Sequence, residues 1–162
     1  MQRISPVNVS LKLYKYNRLM NNTAPPRWEH FDHDADIGIR GIAPTMSEAF
    51  EQAALALIAV ITDPDAIKPS RSLSITCSAA DPDILFFDWI NELIFQMTTQ
   101  DLLFGRFEVA INKELLTATA FGESVDREKH QPAVEIKGAT FTELRVYQNT
   151  DAMWVAQCIV DV

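Results

Sequence analysis

The stretch Phe31-Asp32-His33-Asp34-Ala35-Asp36-Ile37-Gly38-Ile39 sets three carboxylates, Asp32, Asp34 and Asp36, at alternate positions. In an extended chain successive side chains point to opposite faces, so this spacing predicts the three aspartates on one face. His33, Ala35 and Ile37 then share the other. Like charges so placed repel unless water or a cation separates them, and a hard cation with oxygen ligands suits the chemistry. Ile37 and Ile39 read as the start of a core strand, which puts the charged cluster at a strand end, where a site can be open. A solvated turn is the plain alternative for an Asp-rich lead. An EF-hand loop also opens Asp-x-Asp-x-Asp, but it requires Gly sixth and Glu twelfth. Ile37 and Ala43 stand there, which excludes it. His30 and His33 could offer nitrogen to zinc, yet no cysteine or further histidine follows at zinc-like spacing.

Outward from this stretch, residues 28–43 read as the first strand, stopped by Pro44. Thr45-Met46-Ser47-Glu48 is a capping-box pattern. Met46, Ala49, Phe50, Ala53, Ala54, Leu57 and Ile58 follow at helical spacing up to Asp63-Pro64-Asp65. Residues 71–79 alternate, with Leu73, Ile75 and Cys77 on one face of a half-buried strand. Asp81-Pro82 supplies an N-cap with proline at the first helical position. The helix it opens, about 82–98, is apolar nearly all round, with Asp88, Glu92 and Gln96 as a thin polar stripe. A central buried helix is expected, and a helix with one apolar face awaiting a partner is the alternative. Residues 102–112 and 115–121 read as a hairpin, 122–130 as a charged connection, and 133–147 with 152–160 as a second hairpin. The order β-α-β-α-β-β-β-β implies an α+β domain, with two main helices on one face of a largely antiparallel sheet.

Composition bounds the function. With 162 residues and 48% apolar side chains, one domain with an ample core is expected. The net charge of −8 is a poor match for gripping nucleic acid, which needs phosphate neutralisation. Arg3, Lys12, Lys15 and Arg18 precede Met20 with no acid among them, so the remaining chain carries −12. Residues 1–26 therefore read as a basic extension ending in an Asn/Thr/Pro linker, either a disordered tail or a mis-called start with Met20 as the functional one. A targeting tail is the weaker alternative, and no secretory signal is expected. The longest apolar run, Ala53 to Ile61, spans nine residues, against about 20 for a membrane-crossing helix. Cys77 and Cys158 lie in apolar runs. Two buried free thiols in a cytoplasmic protein is the expectation, with a disulfide as the alternative.

Several ordered motifs over residues 27–162 resemble the archease family. They are Trp28-Glu29-His30-Phe31-Asp32-His33-Asp34-Ala35-Asp36-Ile37-Gly38, Glu48-Ala49-Phe50-Glu51, Lys129-His130 followed by Glu135-Ile136-Lys137-Gly138-Ala139-Thr140-Phe141, and the terminal Val160-Asp161-Val162. The resemblance implies a calcium-binding protein cofactor rather than an enzyme. Its partner would be an RtcB-type RNA-splicing ligase, whose guanylylation and multiple turnover it promotes in tRNA splicing or RNA repair. Carried across residue by residue, the calcium ligands would be Asp36, Asp161 and the terminal carboxylate of Val162, with Asp36 brought in from an adjacent strand. Lys137, His33 and Glu135 would serve activation or partner contact, His33 by hydrogen bonding rather than by ligating metal. Asp34 stands where the family usually has Thr, Phe141 for the usual Tyr, and Thr142 for a frequent His. No stable direct contact with nucleic acid and no membrane association is expected. Two other classes compete: a metal-dependent hydrolase using Asp32, Asp34, Asp36 and His33, and a chaperone-like module working through the aromatic second helix.

Overall fold

The computed structural model describes residues 24–162. The expectation for the basic extension falls mainly on residues outside that range. The described chain folds as β1 (Arg27–His33), β2 (Asp36–Ala43), α1 (Met46–Ile61), a 3-10 turn (Pro64–Ala66), β3 (Arg71–Ser78), α2 (Pro82–Gln100), β4 (Leu102–Asn112), β5 (Leu115–Ser124), a helical turn α3 (Arg127–His130), β6 (Gly138–Ala139), β7 (Arg145–Gln148) and β8 (Trp154–Asp161). Every strand pairing is antiparallel, and the α+β class holds. The strands form two sheets rather than one. β1-β2-β8-β6 form the first, with β7 also on β8, and β3-β5-β4 form the second. α1 packs against β2, β8 and β1 of the first sheet and against β4 of the second, so it lies between them.

Both long helices begin where local chemistry dictates. The Thr45 hydroxyl accepts from the Glu48 amide at 3.2 Å. Asp81 accepts from the Asp83 amide at 2.8 Å, and Pro82 fills the first turn, where no amide partner is needed. α2 is the buried central helix: Phe86, Trp89, Ile90 and Leu93 are fully enclosed. The Trp89 indole donates to the Phe50 carbonyl at 3.1 Å, which satisfies its one polar atom inside the core. Its outer stripe keeps Ile84 and Phe95 exposed. α1 also closes the edge of the second sheet. Ser47 and Glu51, one turn apart, accept from the Ile111 and Val109 amides of β4 at 3.1 and 2.9 Å. Burial pushes the Glu51 carboxyl above its ordinary range.

Two expectations are corrected. Residues 28–43 are not one strand but the hairpin of β1 and β2, turning at Asp34 and Ala35. Asp34 adopts φ 50°, a left-handed geometry that aspartate tolerates better than most residues. The turn reverses the alternation. Asp32 pairs with Ile37, while His33 pairs with Asp36, so Asp32 and Asp36 point to opposite faces. Residues 133–147 are likewise not a continuous strand. β6 and β7 both pair with β8, but their registers differ by three residues, absorbed by the turn 140–144, where Glu143 takes φ 54°. The hairpin 102–124 forms as expected around Lys113-Glu114 and runs three residues further than its predicted end.

The connection from β5 to β6 is pinned by a buried polar cluster. His130 is buried; its Nδ1 accepts from the Asp126 amide at 2.8 Å, and its Nε2 meets Glu123 at 2.7 Å. An amide donor on Nδ1 leaves Nε2 as the protonated nitrogen, so the imidazole is neutral and donates to Glu123. The Lys129 ammonium also contacts Glu123. Thr62, just past α1, donates to the His130 carbonyl at 2.5 Å, and the Ala133 amide donates to the Ile61 carbonyl at 2.9 Å. The Lys129 hydrogen bond, with that of His130, holds the Glu123 carboxyl down at about 2, against an ordinary 4.5 and against the opposing effect of its burial.

A Cβ on Gly41 would lie 2.0 Å from the Ala49 carbonyl oxygen and 2.4 Å from the Ala53 nitrogen, both backbone atoms of α1. Gly41→Ala is therefore expected to cost about 3 kcal/mol in urea unfolding, and an unchanged midpoint would refute this close approach. Glu123 gives a second expectation, in the dependence of stability on pH. A carboxyl depressed in the folded state contributes stability above its unfolded value, which fades as pH falls through the folded one. Glu123→Gln should lower the melting temperature at pH 7. The gap to the parent protein should close between about pH 4.5 and pH 2. A gap that persists at pH 2 would show that the charge is not what Glu123 contributes.

Candidate metal centre

Asp36 opens β2, and its register decides the site. β2 pairs with β8 from Ile37↔Val160 to Ala43↔Trp154, so one step further Asp36 comes opposite Asp161. On the other side of β8, Gly138 pairs with Asp161, and the Lys137 amide donates to the Asp161 carbonyl at 2.8 Å. Across the sheet end the order is thus His33, Asp36, Asp161, Gly138. Directly opposed residues of antiparallel strands share a face. Ile37, Ile39, Cys158 and Val160 belong to the core, so the carboxylates of Asp36 and Asp161 lie on the face turned away from α1. Val162 is one step past Asp161, and its side chain packs against the core. That contact holds Val162 next to Asp161 at the sheet end.

Asp36 is half-buried and Asp161 exposed. Among the described residues, no cationic side chain lies within ion-pair distance of either. Like charges on opposed strand positions are unfavourable, and the arrangement is open to solvent. Hard anionic oxygens from opposed positions of adjacent strands are of the type that a divalent cation such as calcium prefers, which takes six to eight oxygen ligands with water completing the shell. Two side-chain carboxylates are what the sheet end supplies.

The other sequence-derived candidates divide. His33 sits beside Asp36 across the hairpin, and its Nδ1 lies 3.9 Å from Asp34. Asp34 occupies the turn with its side chain 94% exposed. Asp32 faces the opposite side of the sheet. The carboxylate trio expected for a hydrolase is therefore dispersed, and among the described residues no three His, Cys, Asp or Glu side chains gather into a metal-holding group. Glu135 and Lys137 are both exposed, while Ile136 between them is buried and anchors the segment.

Periodicity alone did not reveal what holds that segment to α2. Asn91 accepts from the Ala139 amide at 3.0 Å, and Asp83 accepts from the Val146 amide at 2.7 Å. Phe87 stacks on Phe141 with ring centroids 4.5 Å apart. Asp83, Phe87 and Asn91 stand four residues apart, one stripe of the helix, and that spacing was the available signal. Phe141 remains 68% exposed despite the stack. Cys77 and Cys158 are free thiols, pushed up to about 11 and about 12 by burial. No helix among the described residues is long and apolar enough to cross a membrane.

Known proteins share this fold. The family described as Archease protein family (MTH1598/TM1083) matches residues 28–162. The chain is 37% identical over 140 residues to Protein archease of Pyrococcus furiosus, covering 84% of this chain and 99% of the relative. It is also 37% identical over 138 residues to Protein archease of Sulfolobus acidocaldarius, with the same coverage. The solution structure of Methanobacterium thermoautotrophicum protein 1598 superposes with a TM-score of 0.74 at 32% identity, over 83% of this chain and 98% of that one. A Thermotoga maritima protein described as an archease, possible chaperone, shares the fold, with a TM-score of 0.54 at 16% identity, over 83% of this chain and 96% of that one. Matched along nearly the whole length of these relatives, and through both the sheet end and the α2-bound segment, the chain belongs to the archease family.

Proposed function

We propose that this chain is a calcium-binding protein cofactor, not itself an enzyme, that activates an RtcB-type RNA-splicing ligase in the cytoplasm. Family membership supports the class of function, and one structural observation carries the site. The β2–β8 register opposes Asp36 and Asp161 at a sheet end, with Lys137 hydrogen-bonded to the backbone of Asp161. Asp36, Asp161 and the Val162 carboxylate would hold the ion. Calcium supplies positive charge that relieves the repulsion among these carboxylates. The residues then act as a unit: Asp161 is bonded to Lys137, so ordering the sheet end orders the segment that presents Glu135 and Lys137. Those side chains, with His33, would meet the ligase. Preference for a ligase conformation competent to take guanylate shifts its population by differential affinity.

A second reading draws on the exposed Phe141, Phe95 and Ile84 and on the Thermotoga relative described as a possible chaperone. In that reading the protein shields unfolded chains without regard to calcium.

Two measurements test the proposal. In calorimetric titration, Asp36→Ala and Asp161→Ala should each weaken calcium binding about tenfold or more, as should a form extended beyond Val162. With RNA in excess over a purified RtcB-type ligase, the parent protein should sustain multiple turnovers and the same three variants should not. Equal stimulation by all forms would remove the ion from the mechanism. Absence of stimulation, with calcium-independent suppression of aggregation of unrelated proteins, would favour the chaperone reading.

A further inference from the structure

Charge is unevenly distributed over the described residues. They carry ten lysines and arginines against 22 acids, yet four of the ten cations, Lys68, Arg71, Arg127 and Lys129, border one open cleft. The cleft, about 690 Å³, lies where the start of β3, the end of β5 and α3 meet. Its two acids are already engaged. Glu123 takes contacts from Lys129 and His130, and Asp126 accepts from the Glu128 and Lys129 amides, each at 3.1 Å. Lys68, Arg71 and Arg127 have no carboxylate within ion-pair distance among the described residues. Arg71 instead donates to the Ser124 hydroxyl at 3.2 Å, which orients its guanidinium along the rim. The lining thus sets four cations against two carboxylates, a net +2, in a domain whose described residues carry −12, and this local excess favours an anionic ligand.

We propose that this cleft is a phosphate-binding site for the sugar–phosphate backbone of a nucleic-acid strand. Arginine forks and lysine ammonium groups are the donors suited to phosphate oxygens. The lining has Val125 as its one apolar side chain and no aromatic ring. It therefore offers no stacking platform for a base and no pocket for a peptide anchor, and it recognises charge rather than sequence. A mononucleotide would gain little there, whereas a strand can set successive phosphates on separate cations. The acidity of the domain as a whole makes such binding weak and strongly dependent on salt. The segment from Lys129 to Lys137 joins this cleft to the candidate metal centre, and its reach is at most about 29 Å. The assignment goes beyond the ligase reading and needs neither ligase nor calcium for its test.

The test uses the full chain in EDTA, which keeps the ion site out of the readout, and fluorescence anisotropy of a labelled 12-nucleotide single-stranded RNA. Arg71→Gln/Arg127→Gln should bind about tenfold more weakly at low salt, with a salt slope shallower by about 1.4 because two phosphates are no longer neutralised. Lys68→Gln should weaken binding in the same direction. Lys113→Gln, on the distant β4–β5 turn, should not. The cations before Met20 are common to all forms, so differences report on the cleft. A thermal melt of the double variant matching the parent excludes misfolding as the cause. Equal binding by the parent and the double variant overturns the proposal, as does equal weakening by Lys113→Gln. Displacement of the RNA by GTP at concentrations where an unlabelled strand does not compete would assign the cleft to a nucleotide and overturn the backbone assignment.

Discussion

The pairing of β2 with β8 holds the molecule together. It joins residues 37–43 to residues 160–154, the first core strand to the last, across more than a hundred residues of chain. Such long loops are costly to close, and the reward must come from burial once closure is made. Ile39, Ala156, Cys158 and Val160 provide it by packing on one face against the core around α1. Gly41 makes the contact close, because α1 passes where a Cβ would stand. The same register that buries these residues brings Asp36 opposite Asp161. The site is thus a consequence of the core pairing and cannot slip without it: a shift of one residue would turn every one of these side chains to the wrong face.

Around that pair the remaining chain acts as a strap. From Glu123 to Val146 it is held by side chains rather than by a long ladder: His130 under Glu123, Thr62 on the His130 carbonyl, Ile136 in the core, Asn91 and Asp83 on the amides of Ala139 and Val146. Anchoring by alternate or isolated residues leaves the intervening ones, Glu135 and Lys137, directed outward. A segment built this way presents charged side chains at fixed positions while its backbone remains paired at few points. The strap also runs from the cations of the cleft beside α3 toward the carboxylates at the sheet end. Each lies on an element boundary, where side chains from different segments converge.

The helices, their caps and the hairpin around Lys113 were legible in the amino-acid order alone, because they depend on near neighbours: an oxygen two or three residues from an amide, apolar residues at three- and four-residue spacing, a tight turn between alternating runs. The family motifs were legible too, and the expectation that Asp36, Asp161 and Lys137 form a site came with them. What depends on distant partners emerged only in three dimensions. Whether Asp32 and Asp36 share a face turned on a two-residue hairpin turn at Asp34 and Ala35, which a period-two reading of an uninterrupted strand passes over. The division into two sheets rested on which strands pair across the chain, and periodicity holds no record of that. Asn91 and Asp83 took their roles only when β6 and β7 were laid across α2, because a polar side chain on a helix has no meaning until an unpaired amide arrives beside it.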